Sequence, residues 1–281
     1  MKILLEPNLQ KEKAAGLTRR AAALLQGYGA VCLLKDSLQR TLFIEGAEYL
    51  PREKAQASCD MVITIGGDGT LLHAAAHLLK DPKPLLGINV GRLGFLTSLE
   101  ESELERLAAL ATGDYTIENR RFLQAVIPQT GQTAYALNEF VIGACGVMKA
   151  LRFAVFCDGV KVNDYRGDGV IAATPTGSTA YSLSAGGPIV DGELNAMIVT
   201  PVCAHSLNTP PLVLSGDRKL SVHLMELPPD TQVMLAADGG RWLAVTEQET
   251  VEIFLSDKSL PLVSLYGNRQ LKAIDQKLKG R

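Results

Sequence analysis

The sequence predicts an amino-terminal α/β domain on a parallel, Rossmann-like sheet, followed by an all-β domain. Three observations predict it. Strand-like and helix-like segments alternate up to about residue 112; from Tyr115 short β-prone runs take over; and an apolar run, a glycine turn and an alanine- and leucine-rich segment follow one another over residues 61–79. Alternating strand and helix favours parallel strands with helices on the sheet faces, whereas short strands spaced by turns favour an antiparallel sandwich or barrel.

In order, Lys2–Leu5 reads as a strand, Gln10–Gln26 as a helix, Ala30–Leu34 and Met61–Ile65 as strands, the segment after Thr70 as a helix, Leu85–Val90 as a strand and Glu101–Ala111 as a helix. Ten β-prone runs then follow: Phe122–Pro128, Ala134–Ile142, Leu151–Cys157, Val160–Val162, Val170–Thr174, Met197–Thr200, Leu212–Leu214, Leu220–Leu224, Gln232–Ala236 and Val251–Leu255. Asp158-Gly159 and Asp238-Gly239-Gly240 supply turn chemistry between them. The expected divisions are 1–114, 115–255 and a terminal segment 256–281. In that last segment Leu271, Ile274 and Leu278 share one face of a helix at Arg269–Lys279, which either packs back on the first domain or frays.

The 281 residues suffice for two domains, and 47% hydrophobic with 21% charged residues is the balance of a folded soluble protein. A net charge of −2 gives no electrostatic footprint for nucleic acid. No apolar run approaches the roughly 18 residues of a membrane span, and Glu6-Pro7 interrupts the first apolar run too early for a secretory signal. Cys32, Cys59, Cys145, Cys157 and Cys203 are dispersed and lack CxxC spacing, which favours reduced thiols and a cytoplasmic location.

Two stretches carry the chemistry. Gly66-Gly67-Asp68-Gly69-Thr70 lies between a strand and a helix, where unpaired amino-terminal N–H groups and the helix dipole suit a phosphate. A carboxylate repels phosphate, so Asp68 either orients a metal ion, accepts a proton from an attacking hydroxyl, or merely caps the helix. Residues 174–190, Thr-Pro-Thr-Gly-Ser-Thr-Ala-Tyr-Ser-Leu-Ser-Ala-Gly-Gly-Pro-Ile-Val, combine glycines for close backbone approach with hydroxyl donors. Asn138-Glu139 interrupts an apolar strand, so one of the two points inward and needs a partner, unless a strand end or bulge accommodates it.

Other chemistries are poorly supported. The chain has no G-x-x-x-x-G-K-[ST] and no G-x-G-x-x-G after a strand. His73 and His77 sit four apart without the glutamate of H-E-x-x-H, His205 has no recognisable catalytic partner, and no metal site is expected from side chains alone. The serine-rich stretch lacks the G-x-S-x-G elbow.

Taken together, Gly66–Thr70, Asn138-Glu139 and Gly167–Pro188 resemble the NAD kinases, over roughly residues 60 to 240. GGDGT alone is shared with lipid kinases and phosphofructokinases; the long serine- and glycine-rich element is specific. The resemblance implies transfer of the ATP γ-phosphoryl group to the adenosine-ribose 2′-hydroxyl of NAD, a divalent metal such as Mg²⁺ as cofactor, and a homodimer or homotetramer. Inorganic polyphosphate stays open as an alternative donor. Asp68 becomes the catalytic base or orienting group, and Gly66, Gly67, Gly69 and Thr70 the phosphate-binding turn. By the same resemblance, NAD contacts fall on Gly69, Leu72 and Phe95, on Asn138 and Glu139, and on Arg166, Asp168, Thr176, Thr179, Ala180, Tyr181, Ser184 and Asp238. Leu72 and Phe95 match an adenine pocket, and Asp168 a carboxylate that serves a neighbouring subunit's ligand. For neutralising donor phosphates the chain offers Lys149, Arg152 and Arg166. Gly143-Ala144-Cys145-Gly146 stands where the family pattern is more basic. Against a lipid or sugar kinase stand the Asn-Glu pair and the serine-rich loop; against a silent NAD-binding regulator stands Asp68.

Overall fold

The computed structural model describes residues 1–91, 94–146, 150–206, 208–228, 230–265 and 273–275. The chain divides into two compact units, Met1–Asn119 with Leu260–Arg281, and Arg120–Ser259. Both divisions fall a few residues later than expected, because strands rather than loops carry the chain across: one spans Thr116–Ile127 and another Thr250–Ser264.

The first unit contains β1 (Lys2–Pro7), α1 (Ala14–Gly27), β2 (Val31–Lys35), β3 (Glu48–Leu50), α2 (Arg52–Ser58), β4 (Met61–Gly66), α3 (Asp68–Leu78), β5 (Leu85–Asn89) and α4 (Ala108–Thr112). The strands lie in the order β5-β4-β1-β2-β3, all parallel. Their apolar residues are covered on both faces, as a sheet with helical crossovers requires: Met61–Gly66 and Leu85–Asn89 are buried throughout. Ile3, Leu5, Ile63, Ile65, Leu86 and Ile88 pack with Leu17, Ala21 and Leu25 of α1 in one core. Leu262 pairs in parallel with Leu85, and Val263 joins the same core. β3 and α2 had no counterpart in the sequence reading, and the helix expected over Glu101–Ala111 is a 3₁₀ segment, Glu101–Leu107, running into α4. Of the terminal helix only residues 273–275 are described, with Ala273 buried; Leu271 and Leu278 lie outside the described residues.

The second unit is β-rich. One antiparallel sheet runs β13 (Leu212–Ser215), β12 (Ala196–Val202), β11 (Gly169–Ala173), β8 (Glu139–Ala144), β15 (Val233–Ala237), β16 (Arg241–Val245). A second antiparallel set contains β10 (Val160–Gly167), β9 (Leu151–Cys157), β14 (Leu220–Glu226) and the start of β17 (Thr250–Ser264), while β6 (Thr116–Ile127) pairs with β7 (Gln132–Ala136). Phe140, Ile142, Val170 and Leu235 of the first sheet share a core with Phe153, Val155, Val222 and Ile253 of the second. The run expected as a single strand, Ala134–Ile142, is two strands broken at Leu137-Asn138, and α5 (Tyr181–Ser184) follows a 3₁₀ turn at Thr176–Thr179.

Candidate active site

In the first unit the glycine turn is built by the end of β4 and the start of α3. Gly67 caps the helix, its carbonyl accepting from Thr70 N–H at 2.9 Å, while the Thr70 hydroxyl oxygen accepts from Gly67 N–H at 3.4 Å. A Cβ on Gly66 would collide with the Thr70 side chain, so the tight return of the chain requires glycine there. Asp68 does not point along the helix axis into open space. Its carboxylate accepts backbone N–H bonds from Phe95 (2.8 Å), Leu96 (3.2 Å) and Thr97 (3.2 Å), tying the head of α3 to the loop beyond β5. Three of about four carboxylate lone-pair positions are thereby used. Gly94 leaves the space for this contact, since a Cβ there would meet Asp68 Oδ1. Leu72 and Phe95 are half-buried, and Gly69 is exposed.

Sequence reasoning missed Lys11. Its ammonium donates to the carbonyls of Val90 (2.9 Å) and Gly66 (3.3 Å), and its Nζ lies 3.0 Å from where a Cβ on Gly67 would stand. The contact joins residues 55 and 79 positions apart in sequence, and no local pattern announces it. His73 and His77 form an edge-to-face pair 4.8 Å apart, with His77 Nε2 2.7 Å from the Arg52 guanidinium. Among the described residues no three His, Cys, Asp or Glu side chains cluster as metal ligands.

In the second unit the break at Leu137-Asn138 is held by Asp238. Its carboxylate accepts from the backbone N–H of Leu137 (2.8 Å), Asn138 (2.8 Å) and Glu139 (3.1 Å), and its own N–H donates to the Glu139 carbonyl at 3.1 Å. Asp238 adopts φ 48 to do so, at the turn between β15 and β16. On the other side Thr174 donates its hydroxyl to the Leu137 carbonyl (2.6 Å) and its N–H to the Asn138 carbonyl (2.8 Å). A Cβ on Gly177 would run into that same Asn138 carbonyl. The backbone of the pair is thus satisfied while the side chains are not: Asn138 Oδ1 and Glu139 Oε2 are buried without a hydrogen-bond partner. Burial and the neighbouring Asp238 push the Glu139 carboxyl up to about 8, opposed by a hydrogen bond from Tyr181 N–H. Burial also raises the Asp238 carboxyl, against the three amides.

The serine-rich element closes around this pair. Ser178 is fully buried, donating to Pro175 (2.6 Å) and accepting from Val190 N–H (3.1 Å); Ser182 bonds Thr200 at 2.8 Å. These two hydroxyls hold the loop. Thr176 is buried, Thr179 and Ala180 are half-buried, and Tyr181 and Ser184 are exposed. Asp168 and Arg166 flank Gly167 where β10 gives way to β11. Asp168 accepts from the Cys203 thiol, which raises that thiol above its ordinary range, and Arg166 faces Glu226 at 3.8 Å. Arg152 is paired with Asp164 and Glu226, and Lys149 lies outside the described residues. Hence the structure gathers Gly66, Gly67, Asp68, Thr70 and Phe95 in one unit. In the other it gathers Asn138, Glu139, Asp238 and the 174–181 segment.

Comparison with known proteins shows the family of both units. The ATP-NAD kinase N-terminal domain matches residues 10–115, and the ATP-NAD kinase C-terminal domain residues 126–265. The NAD kinase of Chlorobium luteolum is 36% identical over 274 residues, covering 95% of this chain and 92% of its own. That of Natranaerobius thermophilus is 32% identical over 285 residues, covering 98% and 96%. Among solved structures, an NAD kinase from Archaeoglobus fulgidus in complex with ATP superposes with a TM-score of 0.79 at 26% identity, covering 100% of both chains. Yeast NADH kinase complexed with NADH has a TM-score of 0.88 at 21% identity over 99% of this chain and 87% of that one, a likeness of fold. On these matches over nearly its whole length, the chain belongs to the NAD kinase family.

Proposed function

We propose that this chain transfers the γ-phosphoryl group of ATP to the 2′-hydroxyl of the adenosine ribose of NAD, making NADP. The observation that carries the reading is the pair of buried, partnerless oxygens, Asn138 Oδ1 and Glu139 Oε2, on adjacent residues of a clamped backbone. Leaving such groups unpaired costs on the order of 1–3 kcal/mol each. A ribose diol removes that cost, because each hydroxyl both donates and accepts. The raised Glu139 carboxyl keeps its proton near neutrality and can donate to a ribose oxygen while Asn138 Oδ1 accepts. Tyr181 offers a flat face with a polar tip beside them, suited to a ring-and-ribose ligand.

Phosphoryl transfer asks the protein for positioning and charge neutralisation more than covalent chemistry. The Gly67 and Thr70 amides are engaged within the turn, so at the head of α3 the N–H of the exposed Gly69 receives a donor phosphate oxygen, with the helix dipole behind it. Asp68 holds the turn by its three backbone bonds and keeps one carboxylate position for the acceptor hydroxyl, whose proton it takes as the O–P bond forms. Mg²⁺ fits this donor set: it is commonly bound by one or two carboxylates together with substrate phosphates, so it needs no cage of side chains. When bound it would neutralise the donor oxygens, held mainly by the substrate phosphates, because the Asp68 carboxylate is already taken up by its three amides and the acceptor hydroxyl. Inorganic polyphosphate presents the same phosphate chemistry as ATP and is the alternative donor. The active unit is a homodimer or larger, with Asp168 serving a neighbouring copy's ligand, in a compartment that keeps Cys145 and Cys203 reduced, as the cytoplasm does.

The test is direct: incubate the protein with Mg-ATP and NAD, then detect NADP with an NADP-specific dehydrogenase. Absence of NADP with both ATP and polyphosphate as donors overturns the reading.

A further inference from the structure

Lys11 is a part-buried ammonium whose hydrogen-bond partners among the described residues are two backbone carbonyls, Gly66 O and Val90 O. No carboxylate lies within ion-pairing distance of it among the described residues, although the first unit pairs its other part-buried cations, Lys35 and Arg52 with Glu6 and Lys83 with Asp81. Asp68 is the natural counter-ion nearby, yet its carboxylate is turned onto the amides of residues 95–97. Lys11 is half-buried, and the partners that replace its lost water are neutral carbonyl dipoles rather than a counter-charge.

Its position is equally specific. Gly66 and Val90 end or follow two adjacent parallel strands, β4 and β5, at the carboxyl edge where open α/β sheets bind ligands. Nζ stands over Gly67, 3.0 Å from the place of a Cβ, so glycine at the cap of α3 leaves the ammonium beside the N–H groups that head this 11-residue helix. An ammonium has three donors, and two are used. The remaining donor, the helix head and the missing counter-ion together call for an anion. The chain has no P-loop lysine to do this work.

We infer that Lys11 is the cation that binds the oligophosphate chain of the phosphoryl donor at the Gly66–Thr70 turn. The inference rests on the kinase reading for the identity of the donor, but anion binding can be measured without it. Both ATP and polyphosphate carry the recognised chemistry. Lys11 is here a binding residue, so its loss acts on the donor and leaves the acceptor alone.

The experiment compares wild type with Lys11→Met and Lys11→Arg. Inorganic tripolyphosphate, without NAD, is expected to raise the wild-type Tm, to raise that of Lys11→Arg less, and to leave that of Lys11→Met unmoved, whatever the variants' own starting Tm. In the coupled assay Lys11→Met should raise the KM for ATP and for polyphosphate on the order of 10- to 100-fold, with the KM for NAD little changed. A Lys11 that merely pins the two carbonyls would lower the starting Tm while leaving the tripolyphosphate increment and the donor KM intact; that result overturns the inference. So does a wild type whose Tm ignores tripolyphosphate. If no NADP forms at all but the tripolyphosphate increment still depends on Lys11, the kinase reading falls and the anion site stands.

Discussion

Phe95 N–H donates to Asp68 Oδ2 at 2.8 Å, so the carboxylate at the head of α3 is also the fastening of the loop beyond β5. On the proposed reading, one side chain serves both positioning and chemistry. The same three amides that hold it also disperse its charge, which would let a carboxylate sit at a turn that binds phosphate.

Asp68→Asn is expected to lower kcat by about 10²–10⁴-fold, the usual contribution of a positioned base. The sequence alone suggests that the fold survives unchanged. The three backbone bonds revise that expectation: an amide turns an N–H donor toward N–H donors, and bonds to a charged acceptor are each worth about 1.5–3 kcal/mol. A lower Tm by calorimetry should accompany the loss of turnover. A variant that keeps most of its kcat would reduce Asp68 to a fastening.

The turn itself was legible because everything that makes it is contiguous: an apolar strand, two glycines and an alanine-rich helix from Met61 to Leu78. The break in Ala134–Ile142 was legible only as the strand end or bulge that Asn138-Glu139 left open, because apolar residues flank the pair on both sides. What splits the strand is Asp238, about a hundred residues away, capping three consecutive amides. Lys11 escaped for the same reason, its partners being carbonyls that any residue carries. Asn138-Glu139 was legible as an anomaly, two polar residues in an apolar strand, although their orphaned oxygens needed coordinates.

Gly177→Ala should push against the Asn138 carbonyl, a backbone atom held by Thr174 N–H and unable to yield cheaply. The expected destabilisation is about 1–3 kcal/mol, the range for overpacking. The KM for NAD should rise far more than the KM for ATP, as it should for Asn138→Ala and Tyr181→Ala. Equal losses for the two nucleotides would remove the 174–181 segment from the NAD site.

Glu139 predicts a pH effect on stability. Its carboxyl is raised to about 8 in the folded chain, well above its value of 4.5 in the absence of burial, so the folded state binds the proton more tightly than the unfolded one. The stabilisation is complete below about pH 4.5 and is lost as pH rises to about 8. Glu139→Gln mimics the protonated form and has no charge to expose. Its Tm relative to wild type should climb steadily between pH 5 and about pH 8. A difference independent of pH would mean that Glu139 ionises in the folded chain as readily as in the unfolded one.

Cys203 reports on Asp168 without requiring activity. Cys145 and Cys203 are exposed, whereas burial raises Cys32 and Cys59 to about 11 and leaves them poor nucleophiles. The Asp168 carboxylate accepts from the Cys203 thiol and, being negative, holds that thiol above its ordinary range. Removing the charge with Asp168→Asn should bring the Cys203 thiolate within easier reach, so alkylation by iodoacetamide at pH 8, followed by mass spectrometry, should be several-fold faster at Cys203. Cys145 is the internal standard, because both rates come from one sample and a general loosening of the chain would speed both. An unchanged Cys203 rate means the thiol does not feel Asp168. A slower one means that the carboxylate had been promoting reaction, contrary to its sign. Where Asp168 serves a neighbouring copy, a change at Cys203 alone should also vary with protein concentration through the association equilibrium, since contact with a second copy would shield the thiol.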